Sequence, residues 1–120
     1  MSNRSDTEFL ADIQEAVRRI RDYTHEMTYK EFLADTRTQD AVIRNLEIIG
    51  EATKKLSVEL RNQYPSVPWK EMAGARDRLI HNYFGVDLEV VWKISIAELS
   101  DLALQIAKIS VNSSNINAES

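Results

Sequence analysis

The chain of 120 residues contains no cysteine, only two histidines and no long apolar run. The absence of cysteine excludes disulfides and thiolate metal sites, and two histidines are too few for a typical structural zinc site. No segment reaches the length of a signal peptide's apolar core or of a transmembrane helix. We therefore expect a soluble protein of the reducing cytoplasm that does not enter a membrane.

Basic charge is also scarce, because 15 lysines and arginines stand against 19 aspartates and glutamates, for a net charge of -4. Broad, sequence-blind binding to nucleic acid requires many cations that displace counterions from the phosphates. The composition excludes that mode of binding. Any contact with nucleic acid must therefore be local.

Glycine and proline are rare, with three and two residues, and apolar residues recur at helical spacing. This pattern predicts helix along almost the whole chain. Ser5 and Glu8 have the spacing of a capping box, which predicts the start of a helix over residues 6–26. Its predicted inward residues are Phe9, Ile13, Ala16, Ile20, Tyr23 and Met27.

Two further helices are predicted in the first half of the chain. Thr28 and Glu31 form a second capping box, which introduces a short helix ending near Asp35. A long helix follows over residues 38–56, and we expect Gly50 in its middle to permit the close approach of a neighbouring helix. The residues predicted to face inward are Val42, Leu46, Ile49, Thr53 and Leu56.

The segment 65–68 contains both prolines and marks the main break, where Trp69 is expected to anchor the corner in the core. A new helix is predicted to begin around residues 73–76 and to stop at Gly85, a candidate left-handed cap. Asp87 is then placed to cap the last main helix. The inward residues predicted for that helix are Leu88, Val91, Trp92, Ser95, Leu99, Leu102, Ile106 and Ile109.

The sequence thus predicts an all-α fold, an antiparallel bundle of four main helices with short helical segments. One domain is expected over residues 1–110, because a chain of this length can bury a single core without disulfides or metals. Residues 111–120 have little apolar surface to bury and are predicted to form a mobile tail.

A cluster of chemically active side chains falls in the helix predicted before Gly85; it contains Arg76, Asp77, Arg78, His81 and Tyr83. Histidine can exchange a proton near neutral pH, and the planar fork of arginine matches phosphate oxygens. RNA cleavage needs both, because the 2′-hydroxyl loses a proton, the leaving oxygen gains one and the added charge must be held. The same residues also fit a structural helix end, so their types alone leave both interpretations open.

Helical geometry limits how the cluster works. Asp77 and His81 are four residues apart and share a face, so the carboxylate can orient the imidazole. Arg76 and His81 are five apart and diverge by about 140°. One histidine also serves poorly as base and acid on opposite sides of a phosphate. We therefore expect a symmetric dimer that pools two copies of the cluster.

The spacing of the cluster and of its flanks is specific. The stretch RDRLIHNY fits the pattern R-x-x-x-x-H-x-Y, and the flanking stretches are RNLEIIGEATKKLS at 44–57, P-x-V-P-W at 65–69 and HNYFGVD-x-x-x-VW at 81–92. In this order the motifs resemble those of the HepT-like toxins of the HEPN superfamily. The resemblance covers residues 8–109 and implies a small all-helical ribonuclease that acts as a homodimer.

The resemblance also implies roles for single residues. Arg76 would hold the scissile phosphate of the RNA and His81 would handle protons, without a metal or another cofactor. Asp77 fits the polar residue that commonly follows the arginine, and we expect it and Arg78 to support the catalytic pair.

Tyr83 has a different implied role. In toxin–antitoxin pairs of this kind, which are classed as type VII-like, a small nucleotidyltransferase antitoxin resembling MntA transfers AMP from ATP, with Mg²⁺, onto the motif tyrosine. A bulky, negatively charged nucleotide on Tyr83 would occupy the positive site that the RNA phosphate needs. The resemblance thus implies a toxin silenced by AMPylation or by complex formation.

Two alternatives accompany this interpretation. Arg44, Glu47 and Glu51 share one helical face, and we favour a supporting structural role for them, with Arg44 or Glu51 at the edge of the active site as the alternative. The competing hypothesis for the whole chain is a non-catalytic helical module whose arginine–histidine end binds a nucleotide or a partner protein.

Overall fold

The computed structural model describes residues 5–75 and 87–119, with side chains through residue 109. Within these ranges the chain is helical and contains no strand, so the prediction of an all-α fold is confirmed. The elements are α1 (Asp6–Thr24), α2 (Tyr29–Leu33), α3 (Thr36–Lys55), α4 (Val58–Gln63), α5 (Trp69–Ala73), α6 (Leu88–Lys93), a π-helical turn (Ile94–Glu98) and α7 (Leu99–Glu119).

Helix α1 begins at the predicted capping box. The Ser5 hydroxyl accepts a hydrogen bond from the Glu8 amide at 3.3 Å, and the Glu8 carboxylate accepts one from the Ser5 amide at 3.2 Å. These bonds satisfy amides that the first helical turn leaves without partners. The buried residues of α1 are Phe9, Leu10, Ile13, Ala16, Val17, Ile20 and Thr24.

The prediction that Tyr23 faces inward was wrong, because Tyr23 is 39% exposed. Tyr23 lies about 60° around the helix from Ile20, at the edge of the buried stripe. Thr24 takes the inward position instead, and its hydroxyl donates to the Ile20 carbonyl at 2.8 Å. Met27, beyond the end of α1, is half-buried against the core.

Helices α2 and α3 also begin at side-chain caps. The Thr28–Glu31 capping box is present as predicted, and Phe32 of α2 is completely buried. Asp35 caps α3 by accepting from the Thr38 amide at 3.0 Å, so this helix starts two residues earlier than predicted. All five residues predicted to face inward along this segment are buried.

Contacts between the ends of α1 and α3 show that the two helices run antiparallel. The Asp6 carboxylate, in the first turn of α1, accepts hydrogen bonds from the amide and the hydroxyl of Ser57, just beyond α3. The Lys55 ammonium lies 5.9 Å from the centroid of the Phe9 ring. The start of one helix therefore meets the end of the other.

Gly50 brings α5 close to α3, as predicted. A β-carbon at this position would lie 3.4 Å from the carbonyl oxygen of Met72 and 3.5 Å from that of Ala73. A longer side chain would push these backbone groups away. Gly50 therefore lies directly against α5, the short helix that precedes the Arg76–Tyr83 motif.

The segment between α3 and residue 76 contains two short helices that the sequence did not predict as separate elements. Helix α4 has a single buried side chain, Leu60, and so shows no helical periodicity. Helix α5 begins at Trp69, before the start predicted at residues 73–76, and Pro68 occupies its N-cap position. Residues 76–85, which make up most of the helix predicted to end at Gly85, lie outside the described residues.

The last helical segment begins at its predicted cap. The Asp87 carboxylate accepts hydrogen bonds from the amides of Glu89 at 3.0 Å and Val90 at 3.3 Å. Six of the eight predicted inward residues are buried, and Leu88 and Trp92 are half-buried against the core. Of the helices in the described ranges, none combines the length and apolar character needed to cross a membrane.

The backbone of α7 remains helical to Glu119. It therefore includes most of the segment predicted as a tail over residues 111–120. The mobility of that segment, and the domain boundary at residue 110, stay predictions.

Candidate active site

The five motif residues lie outside the part of the chain that the structure describes; they are Arg76, Asp77, Arg78, His81 and Tyr83. Their catalytic, supporting and modification roles stay predictions. The structure does describe the elements on either side of residues 76–86, which we call the motif segment. These elements determine where that segment leaves and rejoins the bundle.

The entry to the motif segment is anchored by Trp69. Its indole N–H donates to the backbone carbonyls of Arg61 at 3.1 Å and Tyr64 at 2.9 Å, and the residue is 8% exposed. The prediction that Trp69 anchors this corner is confirmed. Met72 and Ala75 are buried as well, so the residue directly before Arg76 lies in the core.

Helix α6 anchors the chain directly after the motif segment. Asp87 directly follows the segment and caps this helix. Val91, one turn further on, is completely buried, and Trp92 packs against Phe32 with ring centroids 5.2 Å apart. The motif segment is therefore an eleven-residue connection between two anchored points.

A small cavity of about 110 Å³ lies beside the entry, between α3, α5, the π-helical turn and α7. Its walls are mostly apolar and include Ala75, while Glu71 and Glu98 supply two carboxylates. Carboxylates attract arginine side chains and repel anions. Glu71 and Glu98 thus give the wall beside the entry a negative charge.

Arg44 and Glu51 are exposed residues of α3 that line one shallow pocket with residues of α1. On the helix they lie about 100° to 120° from Gly50, whose face contacts α5. The structure therefore brings them together beside α1. A role at the edge of the active site stays a prediction for both.

The arginines in the middle of α1 are engaged in local ion pairs. Arg18 contacts Glu15 and Asp22, each at 2.7 Å, and Arg19 contacts Glu15 at 3.2 Å. The hydrogen bond from Arg18 lowers the pKa of Glu15 to about 2. Because Glu15 stays ionised near neutral pH, these two arginines are partly neutralised.

One aromatic contact of α6, the helix that follows the motif segment in the chain, was not predicted. The rings of Tyr29 and Trp92 lie 6.0 Å apart between centroids, at an interplanar angle of 43°. Trp92 was expected to face the core, but nothing indicated Tyr29 as its neighbour. The two residues are distant in sequence, so no spacing pattern could have revealed the pair.

Known proteins resemble this chain over most of its length. The family model described as "Ribonuclease HepT-like" matches residues 13–109. The chain is 50% identical over 101 residues to "Putative RNase MJ0127" of Methanocaldococcus jannaschii, with 84% of each chain covered. It is 45% identical over 106 residues to "Probable ribonuclease HepT" of Thermococcus cleftensis, which covers 88% of this chain and 96% of that protein. No solved structure matches the chain.

These matches agree with the fold and with the sequence motifs. The family model covers well over half of the chain and includes the whole motif segment. Both relatives align over more than four-fifths of their own length, so the similarity is not confined to a fragment. The chain belongs to the HepT-like ribonuclease family of the HEPN superfamily.

Proposed function

We propose that this chain is a ribonuclease whose active site contains Arg76 and His81. The observation that supports the proposal most strongly is the family match over residues 13–109, which includes both residues. Relatives that align over most of their length are named as ribonucleases. The anchors at Trp69 and Asp87 support it further, because catalytic groups need a rigid frame.

The proposed reaction is a transesterification that needs no metal. His81 removes the proton of a 2′-hydroxyl, whose oxygen attacks the adjacent phosphorus, while Arg76 holds the added negative charge. The bond from phosphorus to the 5′-oxygen breaks, and that oxygen takes a proton from the His81 of a second copy in a homodimer. Asp77 orients the imidazole, and Arg78 adds positive charge. The products are a 2′,3′-cyclic phosphate and a 5′-hydroxyl.

This chemistry is tested with purified protein and a single-stranded RNA in excess chelator. We expect cleavage in chelator, with a cyclic phosphate on one product. We also expect complete loss of cleavage at a position where the 2′-hydroxyl is replaced by hydrogen, because the nucleophile is then absent. Cleavage that requires an added divalent metal, or that persists at the 2′-deoxy position, would contradict the proposed mechanism.

We further propose that the chain is the toxin of a type VII-like pair and that an MntA-like nucleotidyltransferase silences it by transferring AMP to Tyr83. ATP and Mg²⁺ would be required by the partner only. The family membership supports this proposal, and so does the position of Tyr83, two residues after His81 in the motif. A phosphodiester beside the catalytic pair would compete with RNA for Arg76.

The modification predicts a change in mass that depends on Tyr83. Incubation with the partner, ATP and Mg²⁺ should add AMP-sized increments to the intact protein and stop RNA cleavage. Tyr83→Phe should show no increment, because it lacks the acceptor hydroxyl. Tyr23→Phe is the matched control, since this exposed tyrosine of α1 should leave the modification unchanged. Increments on the Tyr83→Phe protein would place the modified residue elsewhere.

A further inference from the structure

Two partly exposed aromatic side chains pack against each other, one on α2 and one on α6, the helix that follows the motif segment. Tyr29 lies in the first turn of α2 and is 37% exposed, and Trp92 of α6 is half-buried. Their ring centroids are 6.0 Å apart. An aromatic ring that stays open to water next to a second ring offers a flat surface on which another planar group can stack.

Contacts on the core side hold this aromatic pair in place. Phe32 is completely buried and packs against Trp92 with centroids 5.2 Å apart. The capping box of Thr28 and Glu31 fixes the backbone where α2 begins, directly before Tyr29. Trp92 therefore has its packing partner on the core side. The outer part of Tyr29 contributes little to the core and remains available.

The position of the pair relates it to the proposed reaction. Helix α6 begins at Leu88, directly after the motif segment, and Trp92 follows four residues later, about 6 Å along the helix axis. RNA held by Arg76 and His81 would extend past the ends of the motif segment. Because α6 directly follows the motif segment in the chain, we expect a base next to the cleaved bond to reach this helix.

The local charge permits an RNA strand at this position. Lys30 follows Tyr29 on α2 and is exposed. The carboxylate of Glu89 on α6 contacts the Lys93 ammonium at 3.2 Å, which reduces its repulsion of a phosphate. The exposed Glu31 follows Lys30 on α2, so the charge of this surface is mixed and not basic. Stacking, rather than attraction of the phosphate backbone, must therefore supply most of the affinity.

We propose that Tyr29 and Trp92 form a stacking platform for an unpaired base of the RNA substrate. This inference rests on the proposed ribonuclease function, because it names a contact to the same substrate. Stacking on aromatic rings tolerates different bases and requires the base to be unpaired. The platform therefore favours single-stranded RNA over duplex RNA and discriminates weakly among sequences.

Tryptophan fluorescence tests the platform without catalysis. The chain has two tryptophans, and Trp69 is only 8% exposed, so Trp92 is the one placed to report a stacked base. A single-stranded 2′-O-methyl oligonucleotide, which cannot be cleaved, should quench the emission of the intact protein. Quenching should be lost in Trp92→Phe and be much weaker with the duplex form. Equal quenching in Trp92→Phe would overturn the proposal.

Affinity for the same oligonucleotide tests the role of Tyr29. Tyr29→Leu should weaken binding by about 5-fold or more, because the leucine stays apolar and loses the ring. Tyr29→Phe should retain affinity. Tyr23→Leu is the matched control, since it removes a similarly exposed ring on α1 and should bind normally. Thermal unfolding of each variant checks that the fold is intact.

The results separate the platform from the ribonuclease proposal. Normal binding by Tyr29→Leu, with RNA cleavage intact in the unsubstituted protein, would overturn the platform and leave the ribonuclease function standing. Quenching and weakened binding as predicted, with no cleavage of natural RNA by the unsubstituted protein, would support the platform and refute the enzyme. A fluorescence change that depends on protein concentration alone would assign the surface to contact between copies and overturn the platform.

Discussion

His81→Ala is expected to lower the rate of RNA cleavage by about 10²- to 10⁴-fold, because the imidazole is the proposed group that exchanges protons. The chain offers a matched control, since His25 is its only other histidine and the His25 side chain is 76% exposed at the end of α1. His25→Ala should cleave normally. The measurement is the initial rate on a defined RNA in chelator, with thermal unfolding to confirm that both variants fold.

Arg76→Ala should cause a comparable loss, because Arg76 is the group proposed to hold the added charge on the phosphate directly. Arg76→Lys should be intermediate, since lysine keeps the charge without the planar fork. Arg37→Ala, an exposed residue in the first turn of α3, is the control for the loss of one arginine. Cleavage that survives His81→Ala and Arg76→Ala would place the active site elsewhere. Binding of RNA without cleavage by the unsubstituted protein would favour the non-catalytic module.

The His81→Ala variant also tests whether two chains share one active site. When the unsubstituted protein is co-refolded with a ninefold excess of His81→Ala, about nine in ten unsubstituted chains pair with a variant chain, and such a mixed dimer contains a single histidine at position 81. If both copies are needed, the rate per unsubstituted chain should fall roughly tenfold. An unchanged rate per chain would show independent sites. Sedimentation of the active protein as a monomer would also contradict a shared site.

Trp69→Ala is expected to lower the free energy of unfolding by about 3–5 kcal/mol, the usual cost of removing a large buried aromatic side chain. Trp69 is 8% exposed, and its indole N–H serves the carbonyls of both Arg61 and Tyr64. Trp69→Phe should cost about 1–3 kcal/mol, because it keeps most of the volume and leaves two carbonyls without that donor. Denaturant unfolding measures both values.

A neighbouring exposed residue provides the control for this prediction. Lys70→Ala, in the same short helix, should change the free energy of unfolding by no more than about 0.5 kcal/mol. A cost below about 1 kcal/mol for Trp69→Ala would show that Trp69 does not anchor the corner.

The long helices were predictable because their signals are local. Capping boxes and inward stripes depend on residues three or four positions apart, and these patterns located α1 and α3 to within a few residues. The pattern R-x-x-x-x-H-x-Y is equally local, so the candidate catalytic residues and the family could be inferred from the sequence. Short helices such as α4 were not predicted, because six residues with one buried side chain show no periodicity.

The sequence by itself determined the helical character of the chain, the caps of its long helices and the family to which it belongs. Only the tertiary structure decided that Gly50 contacts α5, that Asp6 binds Ser57 and that Tyr29 lies beside Trp92. The physical reason is that these contacts join separate helices. Their distances depend on how the helices pack, and the spacing of residues along one chain contains no measure of that packing.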